Sequence, residues 1–150
     1  VQTCALPIFD LKAGYHHIEI ASEHRKFLGF SWKIDGQTKF FEFSVLPFGP
    51  SSAPYIFTKM LKPLVHHWRS CGILVAIYLD DGFVVIPRDG NSEQKHLETA
   101  TQISNHIRSD LLSAGFIYNI SKSSWSPQTS LTWLGLGLGL GFFTRHYHNN

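Results

Sequence analysis

Two acids stand side by side between apolar runs in Tyr78-Leu-Asp80-Asp81-Gly-Phe-Val-Val-Ile86. Adjacent carboxylates repel, so the pair calls for a cation or a hydrogen-bond donor. A third acid, Asp10, ends the short apolar stretch that begins at Phe9 and lies shortly before Gly14. If the strands carrying Asp10 and Asp80 are neighbours, their carboxylates converge. Converging carboxylates suit a hard cation such as Mg2+, with Mn2+ as a substitute, because these ions take oxygen ligands and leave room for substrate phosphates. The plainer alternative is a turn, since Asp-Gly is a favoured hairpin pair that tolerates positive φ. Asp35-Gly36 is expected to do only that. Nine histidines offer a rival metal chemistry. His16-His17 and His66-His67 are adjacent pairs, whose side chains diverge on a regular element. No His-x3-His or Cys-x2-Cys spacing supports zinc, so they read as surface or stacking residues.

The elements that must position these acids follow from periodicity. Ile18 and Ile20 alternate with polar neighbours, as in a strand. Residues 27–33 and 39–45 flank Asp35-Gly36 and read as a hairpin. Leu46-Pro-Phe-Gly-Pro-Ser-Ser-Ala-Pro54 is a loop of fixed geometry. The helix after it shows an apolar face of Ile56, Met60, Leu61, Leu64, Val65 and Trp68, and Pro63 is expected to kink it or end it. Residues 73–78 and 83–86 form a second hairpin joined by Leu79-Asp-Asp-Gly. Asn91 with Gln94 resembles a capping box. The helix it opens carries Leu97, Ala100, Ile103, Ile107 and Leu111, and Gly115 stops it. Phe116-Ile-Tyr reads as a short strand and Leu131-Thr-Trp as the start of a last one. Leu-Gly then repeats to Gly141, a pattern that weakens a strand. The order predicts an α+β fold, an antiparallel sheet with helices packed on one face.

The totals bound the function without choosing it. The chain has 150 residues, 43% hydrophobic and 16% charged, which suits one packed domain and not a disordered one. A net charge of +2 permits nucleic-acid binding without arguing for it. No apolar run approaches the ~20 residues of a membrane span, and no leader pattern marks secretion. Cys4 and Cys71 make no disulfide framework. Residues 1–8, VQTCALPI, read as translated sequencing adapter and are left out of the fold reasoning. Residues 9–136 then form the domain, and 137–150 an uncertain tail.

The motifs together resemble those of retroelement reverse transcriptases. Phe9-Asp10-Leu-Lys-Ala-Gly14-Tyr15 is similar to the first catalytic motif of that family. Leu46-Pro-Phe-Gly-Pro-Ser-Ser-Ala-Pro54 is similar to the second, and Tyr78-Leu-Asp80-Asp81 to the Y-x-D-D box. Gly115-Phe-Ile-Tyr-Asn-Ile-Ser-Lys122 resembles the fourth, and Trp133-Leu134-Gly135 the primer-grip turn. A single Y-x-D-D is weak evidence; five blocks in family order are not. The flavour is that of gypsy-like or DIRS-like retrotransposons.

The resemblance implies a right-hand polymerase palm with part of the fingers, incomplete at both ends. It implies RNA-directed DNA synthesis from deoxynucleoside triphosphates, with two Mg2+ ions bridged by Asp10 and Asp80. The Leu11 carbonyl is a further ligand on this reading, and Asp81 supports the site more than it binds. Lys122 is implied as a general acid toward pyrophosphate. Tyr15, Phe48 and Gly49, with Leu11, are implied at the nucleotide, and Tyr78, Trp133, Leu134 and Gly135 at the primer. Template, primer and the rest of the element's polyprotein are the implied partners, in a cytoplasmic particle or the nucleus. Pro50 departs from the family's usual leucine. As a palm with only part of the fingers and no thumb, the isolated chain is expected not to polymerise by itself. Two alternatives are an inactive or co-opted relic that at most binds nucleic acid, and a Mg2+-dependent phosphohydrolase.

Overall fold

The apolar run after the paired acids becomes a strand, and its two faces decide what packs where. The structure, a computed structural model, describes residues 3–88, 90–134, 136–139 and 143–145. In chain order the elements are β1 (Thr3–Asp10), α1 (Ser22–Arg25), β2 (Gly29–Ile34), β3 (Gln37–Glu42), α2 (Ala53–Ser70), β4 (Leu74–Tyr78), β5 (Asp81–Pro87), α3 (Glu93–Ser113), β6 (Ser130–Trp133), β7 (Leu136–Gly139) and β8 (Phe143–Arg145). Short 3-10 turns occupy Gly14–His17 and Lys26–Leu28. The chain divides into two units, Val1–Lys12 with Leu61–Asn150 and Ala13–Met60.

In the larger unit the sheet order is β1-β5-β4, antiparallel throughout. Side chains alternate across a strand. On one face Phe9 meets Trp68 of α2 edge-on at 6.2 Å, and both are fully buried. On the other face Phe83 and Leu131 form a core with Ile8, Ala76, Val85 and Trp133 packed around it. Helices therefore cover one face, as expected. The single expected sheet is instead divided into three, with β6-β7-β8 a separate sheet. The Leu-Gly repeat enters it as β7, paired with both neighbours.

Several local expectations are corrected. Strand β1 begins at Thr3, within the residues expected to be adapter-derived, and pairs with β5 as far as Pro87. Ladder bonds use backbone groups, so pairing of this kind asks little of side-chain identity. Pro7 falls where the register shifts between Leu6 and Ile8, a bulge that accommodates its missing N–H. Helix α2 does not end at Pro63 but continues to Ser70, 18 residues in all. Its buried stripe of Phe57, Leu61, Val65 and Trp68 supplies the packing that outweighs the lost hydrogen bond, while Met60 is exposed. Ser92, not Asn91, caps α3: its hydroxyl accepts from the Lys95 amide at 3.4 Å. Leu97 is exposed, and the buried face of α3 is His96, Ala100, Ser104, Ile107 and Leu111. Phe116-Ile-Tyr makes no strand of its own; Tyr118 only bridges Leu11.

In the smaller unit β2 and β3 pair from Gly29↔Glu42 to Ile34↔Gln37. Asp35 and Gly36 have φ of 51° and 77°, the double positive φ of a type I′ turn. Residues 15–20 are not a strand: the 3-10 turn takes the first of them, and Glu19 bridges Val45 alone. Among the described residues no helix is long and apolar enough to cross a membrane.

Candidate active site

Asp10 and Asp81 are register partners on adjacent antiparallel strands. Directly opposed residues place their side chains on the same face, roughly 5 Å apart at Cβ. A third segment locks the outer edge of β1. The Asp10 amide donates to the Ser123 hydroxyl at 3.1 Å, and its carbonyl accepts from the Asn119 amide at 2.7 Å. The Ile8 and Ser124 backbones exchange two further bonds, of 3.1 and 2.8 Å. At the other edge the Leu11 amide donates to the Asp80 carbonyl at 2.9 Å, tying the tip of the β4–β5 turn to the end of β1. All three acids are thus delivered by backbone bonds, independently of any attraction between their side chains.

The turn itself differs from the plain reading. Tyr78 pairs with Asp81, so the loop is Leu79-Asp80 and Asp81 already belongs to β5. Leu79 takes the positive φ, at 53°, a conformation that costs a branched side chain of order 1 kcal/mol. Gly82 is a strand residue and serves a different need. A Cβ there would lie 2.3 Å from Cζ of Phe9, its cross-strand partner. The ring of Phe9 also stacks on Trp125 at 6.0 Å and is fully buried. Glycine after the two acids lets Phe9 close the core directly beneath them.

The electrostatics show what the acids lack. Burial raises the Asp81 carboxyl to about 6, helped by a hydrogen bond to Asp10 and by the negative charges of Asp10 and Asp80. Lys122 pulls the other way. Its Nζ stands 3.7 Å from Oδ2 of Asp10, on a side chain that is 66% exposed. One loosely held ammonium against three carboxylates leaves negative charge uncompensated. That donor set, all oxygen and short of positive charge, fits a hard divalent cation. The sequence reading paired Asp10 with Asp80 and gave Asp81 a supporting part. The structure brings Asp10 and Asp81 into direct contact and sets Asp80 at the turn tip, where Asp81 feels its charge.

The remaining site residues fall into separate places. Leu11 is buried and Tyr78 exposed. Trp133 meets Phe83 edge-on at 4.7 Å, its indole packed in the core, and Leu134 forms an exposed turn with φ of 49°. Gly135 lies outside the described residues. In the smaller unit Tyr15 contacts Phe48 at 4.9 Å and Phe57 at 5.3 Å. Phe48 is itself exposed, and Gly49 has φ of 115°, which only glycine adopts without strain. Ser123 and Asn119 were missed from sequence. Their roles depend on the chain returning to the edge of β1; Asn119 lies inside the Gly115–Lys122 motif, which singled out Lys122 alone.

A family model described as reverse transcriptase (RNA-dependent DNA polymerase) matches residues 2–138. The chain belongs to the reverse transcriptase family. It is also similar to the solved structure of the foamy viral protease-reverse transcriptase in complex with RNA/DNA hybrid. The TM-score is 0.66 and the identity 23%, over 91% of this chain. That likeness speaks for the fold, a partial palm and fingers. The chain spans 16% of the length of the foamy viral protein. No curated protein matches the chain. In this reverse transcriptase chain, the first motif and the Y-x-D-D box are the two segments joined by the Asp10–Asp81 contact and the Leu11–Asp80 bond.

Proposed function

We propose that the chain is the catalytic palm of an RNA-directed DNA polymerase of a retroelement, working by two-metal nucleotidyl transfer from a deoxynucleoside triphosphate to a primer 3′-hydroxyl. The observation that carries this reading is the meeting of Asp10 and Asp81 on neighbouring strands, with Asp80 tied to the same strand end. Asp10, Asp80 and Asp81, with the Leu11 carbonyl, would hold the ions. Bound Mg2+ or Mn2+ supplies Lewis-acid activation of the attacking hydroxyl and stabilises charge on the leaving pyrophosphate. Asp81, whose carboxyl is raised to about 6, would be held fully ionised by a cation beside it. Lys122, whose Nζ is 3.7 Å from Asp10, would by family resemblance neutralise and then protonate a departing phosphate oxygen. By family resemblance Tyr15, Phe48 and Gly49 serve the nucleotide, and Tyr78, Trp133, Leu134 and Gly135 the primer. An RNA or DNA template and the rest of a gypsy-like or DIRS-like polyprotein are the partners of this reading.

The test is Mn2+ binding to the chain, followed by electron paramagnetic resonance, beside primer extension on primed RNA. The expected result is Mn2+ that Mg2+ displaces and that Asp10→Asn or Asp80→Asn releases. A folded chain whose acids bind no ion would leave the relic reading standing instead. Phosphate-ester hydrolysis without template would favour the phosphohydrolase.

A further inference from the structure

Helices α2 and α3 bring a second and chemically different donor set together. His67 lies in the last turn of α2 and Cys71 directly follows the helix, its amide donating to the His67 carbonyl at 3.1 Å, while His106 and Asp110 are one turn apart on α3. The ligand atoms of His67, His106 and Asp110 all lie within 4.8 Å of one another. His106 Nε2 is 3.4 Å from Asp110 Oδ2, and Cys71 Sγ is 4.0 Å from His67 Nε2. A tetrahedral zinc site with ordinary bond lengths has ligand–ligand edges of roughly 3.3–3.6 Å. One edge is already at that length, and another is within half an ångström of it. The remaining edges among His67, His106 and Asp110 are at most 4.8 Å and need modest contraction, open to histidines that are both exposed; Cys71 stands beside His67 and would complete the set by rotating its own exposed side chain.

The carboxylate is also oriented. The indole N–H of Trp68 donates to Asp110 Oδ2 at 2.8 Å, and Trp68 is fully buried. A buried donor that fixes a ligating carboxylate is the arrangement that outer-shell groups supply at metal centres. The geometry points to a zinc-class metal site formed by His67, His106 and Asp110, with Cys71 as the fourth ligand, pinning α2 to α3. Two imidazoles and a thiolate select a borderline ion over Mg2+, so this site and the carboxylates of the polymerase centre would not compete for one metal. No contiguous zinc motif marks these residues, because His67-x3-Cys71 comes from the end of α2 and the residue after it, and His106-x3-Asp110 from α3.

The experiment is a Co2+ titration of the whole chain under reducing conditions in excess Mg2+, read by absorption. One equivalent should bind with the strong visible bands of four-coordinate Co2+ and a thiolate-to-metal charge-transfer band, and Zn2+ should displace it. Cys71→Ser should remove the charge-transfer band alone, and His106→Ala should weaken binding at least about tenfold. Asp10→Asn with Asp81→Asn should leave the spectrum intact, which separates this site from the acids. A chain giving no four-coordinate spectrum overturns the proposal. So does an unchanged spectrum in a His67→Ala, His106→Ala variant that keeps the parent's circular dichroism; the cluster is then only an ion pair beside a solvated histidine.

Discussion

Gly82→Ala tests how the acids are held, without touching them. The added Cβ would lie 2.3, 2.7 and 2.9 Å from three atoms of the Phe9 ring. Ordinary contact is about 3.5–4 Å, so the ring must retreat by more than an ångström. It has nowhere easy to go, being fully buried between Trp68 at 6.2 Å and Trp125 at 6.0 Å. Overpacking of this kind costs typically 1–3 kcal/mol, and the rigid neighbours place this case near 2–3 kcal/mol. For a chain of this size that lowers Tm by roughly 4–10 °C. Gly82 carries no positive φ, so backbone strain adds nothing. Equilibrium urea unfolding of Gly82→Ala, Phe9→Leu and the double variant gives the coupling directly. Shrinking the ring should return about 1–2 kcal/mol of the alanine's cost, a clear departure from additivity. Additivity within about 0.5 kcal/mol would refute the argument that glycine is there for Phe9.

Two more expectations concern charge. The Asp81 pKa is raised from 3.8 to about 6 in the folded, metal-free protein. Its contribution to stability is therefore complete below about pH 4 and is lost as pH rises through about 6. Asp81→Asn should flatten that decline in urea midpoints and, with water screening the open edge, gain about 1 kcal/mol at pH 7. Lys122→Met removes the cation that competes with metal at Asp10 and should tighten Mn2+ binding up to about tenfold; weaker binding would mean that Lys122 organises the acids instead.

How much of this was legible from sequence depended on how local the cause was. Asp35-Gly36 announced its hairpin because the type I′ turn demands that chemistry at two adjacent positions. The β4–β5 hairpin was equally visible as strands joined by Leu79-Asp-Asp-Gly, but the loop is the shorter Leu79-Asp80, with positive φ on Leu79, a choice no propensity favours. Pro63 does not end α2, because the packed stripe from Phe57 to Trp68 outweighs a local breaker. Ser92 lost to Asn91 in the reading because both residues cap well, and only the helix start decides between them. The convergence of Asp10 with the Y-x-D-D acids was readable through five ordered motifs. The direct partner of Asp10 was not, because register depends on the Pro7 bulge. The segment 117–124 showed as most of a family motif, but not that it locks β1, because that needs the chain to return to the strand's edge; the His67–His106–Asp110 group needed two helices to meet.

The central proposal is that Asp10, Asp80 and Asp81, brought to one strand end, together take up divalent metal. Its most direct test is a carbon-13 NMR titration of the aspartate carboxyls, with and without Mg2+. The account predicts that Asp81 titrates near 6 without metal and that Mg2+ drives its midpoint down by more than a unit, with shifts at Asp10 and Asp80 saturating together. An Asp81 midpoint near its ordinary value, or one that Mg2+ leaves unmoved, would contradict it.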